Sequence, residues 1–203
     1  MVPVGITEDK PAQNLNAYAL SKYATERISV SYAEVLSIPT VAFRYFNVYG
    51  PRQSLSNPYT GVVAIFLSRL KNKNPPIVFE DGMQLRDFIY VDDIARHNVM
   101  AIENQKAEGV YNLGTGKPIT LLDIIEKLNK LIGTNITPHI PEDFRPGDNR
   151  HDYSDISRLK KTFGDGSFVG IEEGMKKLAE WSENVEAVDN LEKAERERKR
   201  FLK

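Results

Sequence analysis

The stretch Thr40-Val41-Ala42-Phe43-Arg44-Tyr45-Phe46-Asn47-Val48-Tyr49 restricts the fold more than any other. It is dense in β-branched and aromatic residues, Pro39 precedes it and Gly50-Pro51 stops it, which predicts a largely buried strand. Segments of helical periodicity flank it. Before it, Leu20, Ala24, Ile28, Tyr32 and Val35 recur at helical spacing and predict a helix from about Ala17 to Leu36. Ser37-Ile38-Pro39 closes that helix, because proline disfavours helix at the residue before it. After the strand, a polar loop over residues 52–60 leads to a second helix, Gly61 to Lys71.

The remainder repeats this alternation. Pro75-Pro76 breaks the second helix and introduces a short strand, Ile77-Val78-Phe79, ended by Glu80-Asp81-Gly82. Phe88-Ile89-Tyr90-Val91 is a further extended piece, and Asp92-Asp93 is placed to N-cap a helix from Ile94 to about Glu103. A strand at residues 109–113 runs into Gly114-Thr115-Gly116. Thr120 and Asp123 have capping-box spacing for a helix that runs to Leu131 and ends at Gly133. Residues 1–13 and 134–170 read as mostly irregular, and Glu172 to Ser182 as a helix holding the single tryptophan, Trp181. Residues 186–203 read as a solvated helix or a frayed end. The order helix–strand–helix–strand–helix–strand–helix implies a mostly parallel sheet with helical cover.

Composition closes off several chemistries. A formal net charge of -1 supplies no excess of Lys and Arg to neutralise phosphates, which argues against a general nucleic-acid binder. The absence of cysteine rules out disulfides, zinc–thiolate sites and a cysteine nucleophile, and suits a reducing cytoplasm. No apolar run approaches the roughly 18 residues of a membrane span. The first residues lack the basic and apolar regions of a signal peptide, and His97, His139 and His151 show no metal-ligand spacing.

Within Asn16-Ala17-Tyr18-Ala19-Leu20-Ser21-Lys22, a phenol and an ammonium lie four residues apart and share one helical face. A nearby cation favours the ionised form of an acid, so Lys22 is expected to draw the Tyr18 pKa down from about 10. A phenol tuned that way takes a proton from an alcohol near neutral pH. Taken alone, the pair reads more simply as one buried ring and one surface charge. Gly114-Thr115-Gly116-Lys117 is not a phosphate loop, since Pro118 follows Lys117 and Tyr111 holds the first glycine's position. It lacks the third glycine of a dinucleotide fingerprint and reads as a tight strand-to-helix turn. Arg44, Arg52, Arg86, Arg145 and Arg150 sit in or beside loops and strand ends. Each alone reads as a surface ion pair; together they suggest a local anion site.

Five motifs follow one another along the chain: Tyr18-x-x-x-Lys22, Arg44-Tyr45-Phe46-Asn47-Val48-Tyr49-Gly50-Pro51-Arg52-Gln53, Arg86-Asp87-Phe88-Ile89-Tyr90-Val91-Asp92-Asp93, Tyr111-Asn112-Leu113-Gly114-Thr115-Gly116, and Arg145-Pro146-Gly147-Asp148. In this order and spacing the chain resembles the extended short-chain dehydrogenase/reductase family, in its nucleotide-sugar epimerase branch, up to about Trp181. Residues 54–66, Phe79-Glu80-Asp81-Gly82 and Gly147-Asp148-Asn149-Arg150-His151 are most similar to dTDP-L-rhamnose 4-epimerases and the UDP-glucose 4-epimerases close to them. Arg44-Tyr45-Phe46-Asn47 is less like the signature of the 4,6-dehydratases, which stay an alternative.

The resemblance implies NAD as cofactor and a UDP- or dTDP-sugar as substrate. Tyr18 would be the catalytic base at the sugar 4-hydroxyl, and Lys22 would lower its pKa and hold the nicotinamide ribose. Tyr45, Phe46 and Val48 match positions near the nicotinamide. Asn47 matches a diphosphate contact, Gly61, Val62 and Val63 a helix start with backbone donors for the sugar nucleotide, and Val78 and Phe79 the wall against the base. Arg86 and Arg145 match the diphosphate clamp, with Asp148 beside it. The implied fold is α/β: the C-terminal part of a doubly wound Rossmann-type parallel sheet with a smaller α/β substrate-binding lobe. Residues 1–50 and 86–133 would belong to the sheet, 51–85 and 134–182 to the lobe, and 183–203 to a charged helical tail.

The family's glycine-rich strand–turn–helix and its catalytic Ser or Thr have no counterpart in this sequence. That implies a C-terminal portion inactive by itself, with an unpaired hydrophobic edge on the strand at 40–49. The alternative from another class is a non-catalytic nucleotide-sugar-binding module, or one half of a split enzyme. The partners implied are a second copy, meeting through the Tyr18 helix, or a separate N-terminal half, in the cytoplasm and away from nucleic acid and membrane.

Overall fold

The computed structural model describes residues 3–13, 16–141, 143 and 147–201. Helix α1 (Ala17–Val35) is N-capped by Asn16, whose side chain accepts a hydrogen bond from the Ala19 N–H at 2.9 Å. The expected apolar stripe exists but is not used. No residue of α1 is buried, and Ile28, Tyr32 and Val35 are 65%, 67% and 81% exposed. The side turned inward is made of small or paired residues, with Ala19, Glu26, Val30 and Ala33 partly buried.

The expected strand at 40–49 is two strands that serve two sheets. Strand β1 (Val41–Tyr45) pairs in parallel with β4 (Gly109–Leu113), Val41 opposite Gly109 and Tyr45 opposite Leu113. Phe46 makes the last bond to that partner, its N–H donating to the Leu113 carbonyl at 3.1 Å. The chain then swings so that β2 (Asn47–Tyr49) pairs in parallel with β3 (Leu85–Tyr90). Strand β5 (Pro118–Thr120), a short piece without a sequence signal, pairs antiparallel with β3, giving the order β2-β3-β5. Within the described residues β1 has no partner on its other edge.

The main core lies over the three-stranded sheet. Helices α2 (Val62–Lys71), α4 (Leu121–Ile132) and α6 (Ile171–Ser182) pack Phe66, Leu67, Leu128, Met175 and Leu178 against Tyr49, Phe88 and Tyr90. The capping box of α4 forms as the sequence predicts: Asp123 N–H donates to Thr120 Oγ1 at 3.1 Å and Thr120 N–H to Asp123 Oδ2 at 3.3 Å. Gly133, at φ +69°, ends the helix in the left-handed conformation that glycine adopts at least cost. A smaller cluster of Ile89, Tyr111, Leu113, Ile156 and Leu159 fills the space under β1 and β4, with Phe43 and Phe163 packed on it.

Three expectations change. Helix α3 (Val91–Glu103) starts earlier than Ile94, so Asp92 and Asp93 lie in its first turn instead of capping it. Asp93 is buried and accepts from the Val169 N–H at 2.9 Å and from Arg96 at 2.7 Å, fastening the segment before α6. Among the described residues, 77–79 form one isolated bridge, Ile77 to His139, flanked by hydrogen bonds from Val78 N–H to the His139 carbonyl and from His139 N–H to the Pro76 carbonyl. The region expected to be irregular contains a two-turn helix, α5 (Ser157–Phe163), short enough for its periodicity to go unseen. The tail forms α7 (Leu191–Phe201), and the chain leading into it is strapped down. Asn72 donates to the Ala187 carbonyl at 2.6 Å, and buried Arg69 meets Asp189 at 3.0 Å. No described helix is long and apolar enough to cross a membrane.

Candidate active site

Helix α1 presents Tyr18 and Lys22 one turn apart, with the Lys22 ammonium 5.5 Å from the Tyr18 ring centroid, a cation–π distance. Tyr18 is 72% exposed, so the ring is an open surface feature and not the buried ring of the simpler reading. Among the described residues neither Tyr18 Oη nor Lys22 Nζ has a hydrogen-bond partner, which leaves both groups available to a ligand.

Two polar contacts hold this helix. Glu26 receives a bidentate pair from Arg44, Nε at 2.6 Å and Nη2 at 2.7 Å, while Arg44 Nη1 donates to the Glu8 carbonyl at 3.0 Å. The bond to Glu26 holds the Arg44 guanidinium above its ordinary pKa. Arg44 is therefore spent on an internal pair and does not belong to an anion site. At the helix start, Asn16 Nδ2 donates to the Gly147 carbonyl at 3.2 Å.

The parallel strands β1 and β4 end together at Tyr45 and Leu113. In an open α/β sheet the carboxyl ends of the strands are where ligands bind. Tyr45 is half exposed there, its Oη 3.0 and 2.9 Å from the two amide atoms of Asn98. Phe46 and Val48 are partly buried, and Asn47 Nδ2 donates to the Asp87 carbonyl at 3.3 Å. After β4, the Gly114-Thr115-Gly116 turn folds around the fully buried Asp87 carboxylate. That carboxylate accepts from Thr115 N–H (2.9 Å), Thr115 Oγ1 (2.6 Å), Gly116 N–H (3.0 Å), Ser154 N–H (3.2 Å) and Ser154 Oγ. An internal anion thus occupies the turn. This gives the physical reason that it is no phosphate loop.

On the substrate side, Gly61 is the N-cap of α2, and the first backbone N–H groups of the helix, at Val62 and Val63, have no partner within the helix. A side chain at Gly61 would stand 2.6 Å from Gln53 Nε2 and 3.3 Å from the Val48 carbonyl, so only glycine fits without displacing Gln53. Val78 is buried in the main cluster, and the carbonyl of partly buried Phe79 accepts from Gln84. Arg86 donates to the carbonyls of Leu85 (2.9 Å), Arg150 (3.1 Å) and Asn149 (2.8 Å). Burial lowers its pKa, opposed by the nearby charges of Asp152 and Asp148. Arg150 closes the same loop onto Asp81 and Glu80 at 2.6 Å each. Asp148 is exposed, and Arg145 lies outside the described residues.

The structure places expected residues at the Tyr18–Lys22 face, along the chain from Tyr45 to Val48 and at the loop 147–150 gripped by Arg86 and Arg150, with Gly61, Val62 and Val63 at the start of α2 and Val78 and Phe79 on the bridge at 77–79. Asn16 joins the first to the third. Sequence reading missed Asn16, Glu26 and Asp87 as site-building residues. Only Asp87 left a signal, an acid directly before the apolar run Phe88–Val91, since a buried carboxylate needs dedicated partners. A cavity of about 500 Å³ lies elsewhere, lined by Pro39, Val41 and Phe43 of β1's opening stretch and by Asn98, Ala101 and Ile102 of α3.

The NAD dependent epimerase/dehydratase family model matches residues 3–114, more than half of the chain. The chain belongs to that family. Among epimerase relatives, a UDP-glucuronate 4-epimerase of Thermodesulfobacterium geofontis is 35% identical over 87% of this chain and 54% of its own length. A dTDP-L-rhamnose 4-epimerase of Burkholderia thailandensis is 31% identical over 86% of this chain and 47% of its own. The solved UDP-glucuronic acid 4-epimerase of Bacillus cereus, in complex with UDP-glucuronic acid and NAD, superposes with a TM-score of 0.81 at 29% identity, over 91% of this chain and 58% of that one. The chain spans about half the length of the epimerase relatives it matches.

Proposed function

We propose that this chain carries the Tyr–Lys pair and the sugar-nucleotide contacts of an NAD-dependent nucleotide-sugar 4-epimerase. The observation that carries the reading is the Tyr18–Lys22 face: two groups one turn apart, exposed and without hydrogen bonds among the described residues, in a chain of the epimerase/dehydratase family. The residues present fit the nicotinamide–ribose end of NAD, with Lys22 for the ribose and Tyr45, Phe46 and Val48 beside the ring. Among the described residues they supply no pyrophosphate cradle at the Gly114-Thr115-Gly116 turn, which encloses the Asp87 carboxylate. NAD, when bound, supplies a reversible hydride acceptor.

Tyr18 takes the proton from the sugar 4-hydroxyl and returns one after the ring has turned over. The Lys22 ammonium stabilises the phenolate meanwhile. Asn47, Arg86 and Arg145 hold the diphosphate, the amides at Gly61, Val62 and Val63 donate to the sugar nucleotide, Asp148 lies on the substrate side in the loop 147–150, and Val78 and Phe79 back the base. Residues 1–50 and 86–133 form the cofactor side in this proposal, and 51–85 and 134–182 the substrate side. Both UDP- and dTDP-sugar enzymes occur among the relatives, so the nucleotide is left to experiment.

Isothermal titration of the chain with UDP and with dTDP tests the substrate half of the reading. Binding of either supports it, and no heat with either overturns it. The cofactor half predicts that the purified chain carries no stoichiometric NAD and does not turn over; an NAD content near one per chain sinks that statement. The bare stripe on α1 and the open edge of β1 favour a covering partner, a second copy or a complementing strand–helix unit, in the cytoplasm.

A further inference from the structure

No residue of α1 is buried, so apolar packing does not fix the position of its first turn. Polar contacts do. Glu26 anchors the middle of the helix on Arg44. Asn16 anchors the start and uses both ends of its amide: Oδ1 accepts from the Ala19 N–H at 2.9 Å, and Nδ2 donates to the Gly147 carbonyl at 3.2 Å, across 131 residues of sequence. Gly147, at φ +88°, opens the loop whose Asn149 and Arg150 carbonyls Arg86 grips and whose Arg150 side chain closes on Asp81. Tyr18 stands two residues beyond Asn16. One exposed hydrogen bond therefore connects the substrate-side loop to the turn that presents the phenol.

We propose that Asn16 is a positioning residue that couples the ordering of the loop at residues 147–150 to the placement of Tyr18. This rests on the reading of that loop as part of the sugar-nucleotide site. A diphosphate that draws the loop inward orders the Gly147 carbonyl, and the Asn16 amide passes that order to the first turn of α1. The substrate then helps to aim the base that acts on it.

The two roles of Asn16 can be separated. In Asn16→Asp the carboxylate still accepts the Ala19 N–H and suits a helix N-terminus, so the cap survives. It has no donor for the Gly147 carbonyl, so the link is lost. Amide hydrogen exchange read by mass spectrometry follows both segments and needs no enzymatic turnover. In the free protein, Asn16→Asp is expected to speed exchange over residues 147–152 about fivefold, the ratio that follows from losing one modest hydrogen bond, with residues 19–22 unchanged. Asn16→Ala, which loses cap and link, speeds both. Saturating UDP slows both segments in the wild type but only residues 147–152 in Asn16→Asp.

Exchange over 147–152 that is unaltered in free Asn16→Asp overturns the coupling. So does UDP protection of residues 19–22 that is equal in wild type and variant. UDP that protects neither segment of the wild type removes the substrate-site reading instead, and the free-protein comparison still decides whether Asn16 links the two segments.

Discussion

Helices α4 and α1 both repeat apolar residues at helical spacing. Helix α4 encloses Ile124, Ile125 and Leu128 between α2 and α6, whereas α1 leaves Leu20, Ile28, Tyr32 and Val35 in solvent. Periodicity expresses a capacity for burial; whether it is realised depends on what else is present to cover the stripe. Full burial of one Leu or Ile is worth about 1.5–3 kcal/mol, so α4 is stabilised by its surroundings. Helix α1 must rely on its cap, its own backbone bonds and two polar anchors. The packed half of the molecule is held by area and the open half by specific hydrogen bonds.

The contrast predicts a ranking of substitutions that differs between the halves. Leu128→Ala removes a side chain with 0% exposure from the main cluster and should cost about 2–5 kcal/mol in urea unfolding. A loss below about 1 kcal/mol would show that the cluster is looser than its burial indicates. Asp87→Asn puts an amide with a single acceptor where a carboxylate serves several donors, and should cost about 2–3 kcal/mol in the same experiment. Glu26→Ala leaves Arg44 without its bidentate partner and should weaken the docking of α1 by about 1–2 kcal/mol, seen as faster amide exchange along residues 17–35. Ile28→Ala, on the bare stripe, should stay within about 0.5 kcal/mol. If Ile28→Ala proves costlier than Glu26→Ala in the isolated chain, then α1 is covered in solution and the contrast between the halves fails. A chain that sediments as a dimer would identify the cover as a second copy.

Much of this was legible in the sequence, and the failures have physical causes. The caps at Thr120 and Gly133 came through because capping is a local agreement between a side chain and a few backbone groups. Residues 77–79 formed a bridge instead of a strand and β5 and α5 gave no signal, while helices α1, α2, α3, α4 and α6 and the strand at 109–113 came through from local patterning. The split at Phe46 did not, because a continuous β-favouring run says nothing about which neighbour each residue pairs with. Asp92 and Asp93 have the right residue type for a cap, but Asp93 has a stronger use in holding the Val169 N–H. At the candidate site, Tyr18, Lys22, Asn47 and Arg86 were named from motif spacing. Asn16 and Glu26 were not, because their partners Gly147 and Arg44 are distant in sequence and ordinary in kind.

The passage of the chain from one sheet to the other at Phe46 has a metric consequence. Tyr45 closes β1 and Asn47 opens β2, so the positions proposed for the cofactor and the sugar nucleotide are only two residues apart. A strand advances about 3.3 Å per residue and turns its side chains over at each step. Inserting or deleting one residue there would shift Asn47 by about 3.3 Å and turn Tyr45 or Asn47 to the opposite face. In the proposed site, this segment works as a ruler between cofactor and sugar nucleotide, and its length is fixed where the length of a surface loop is free.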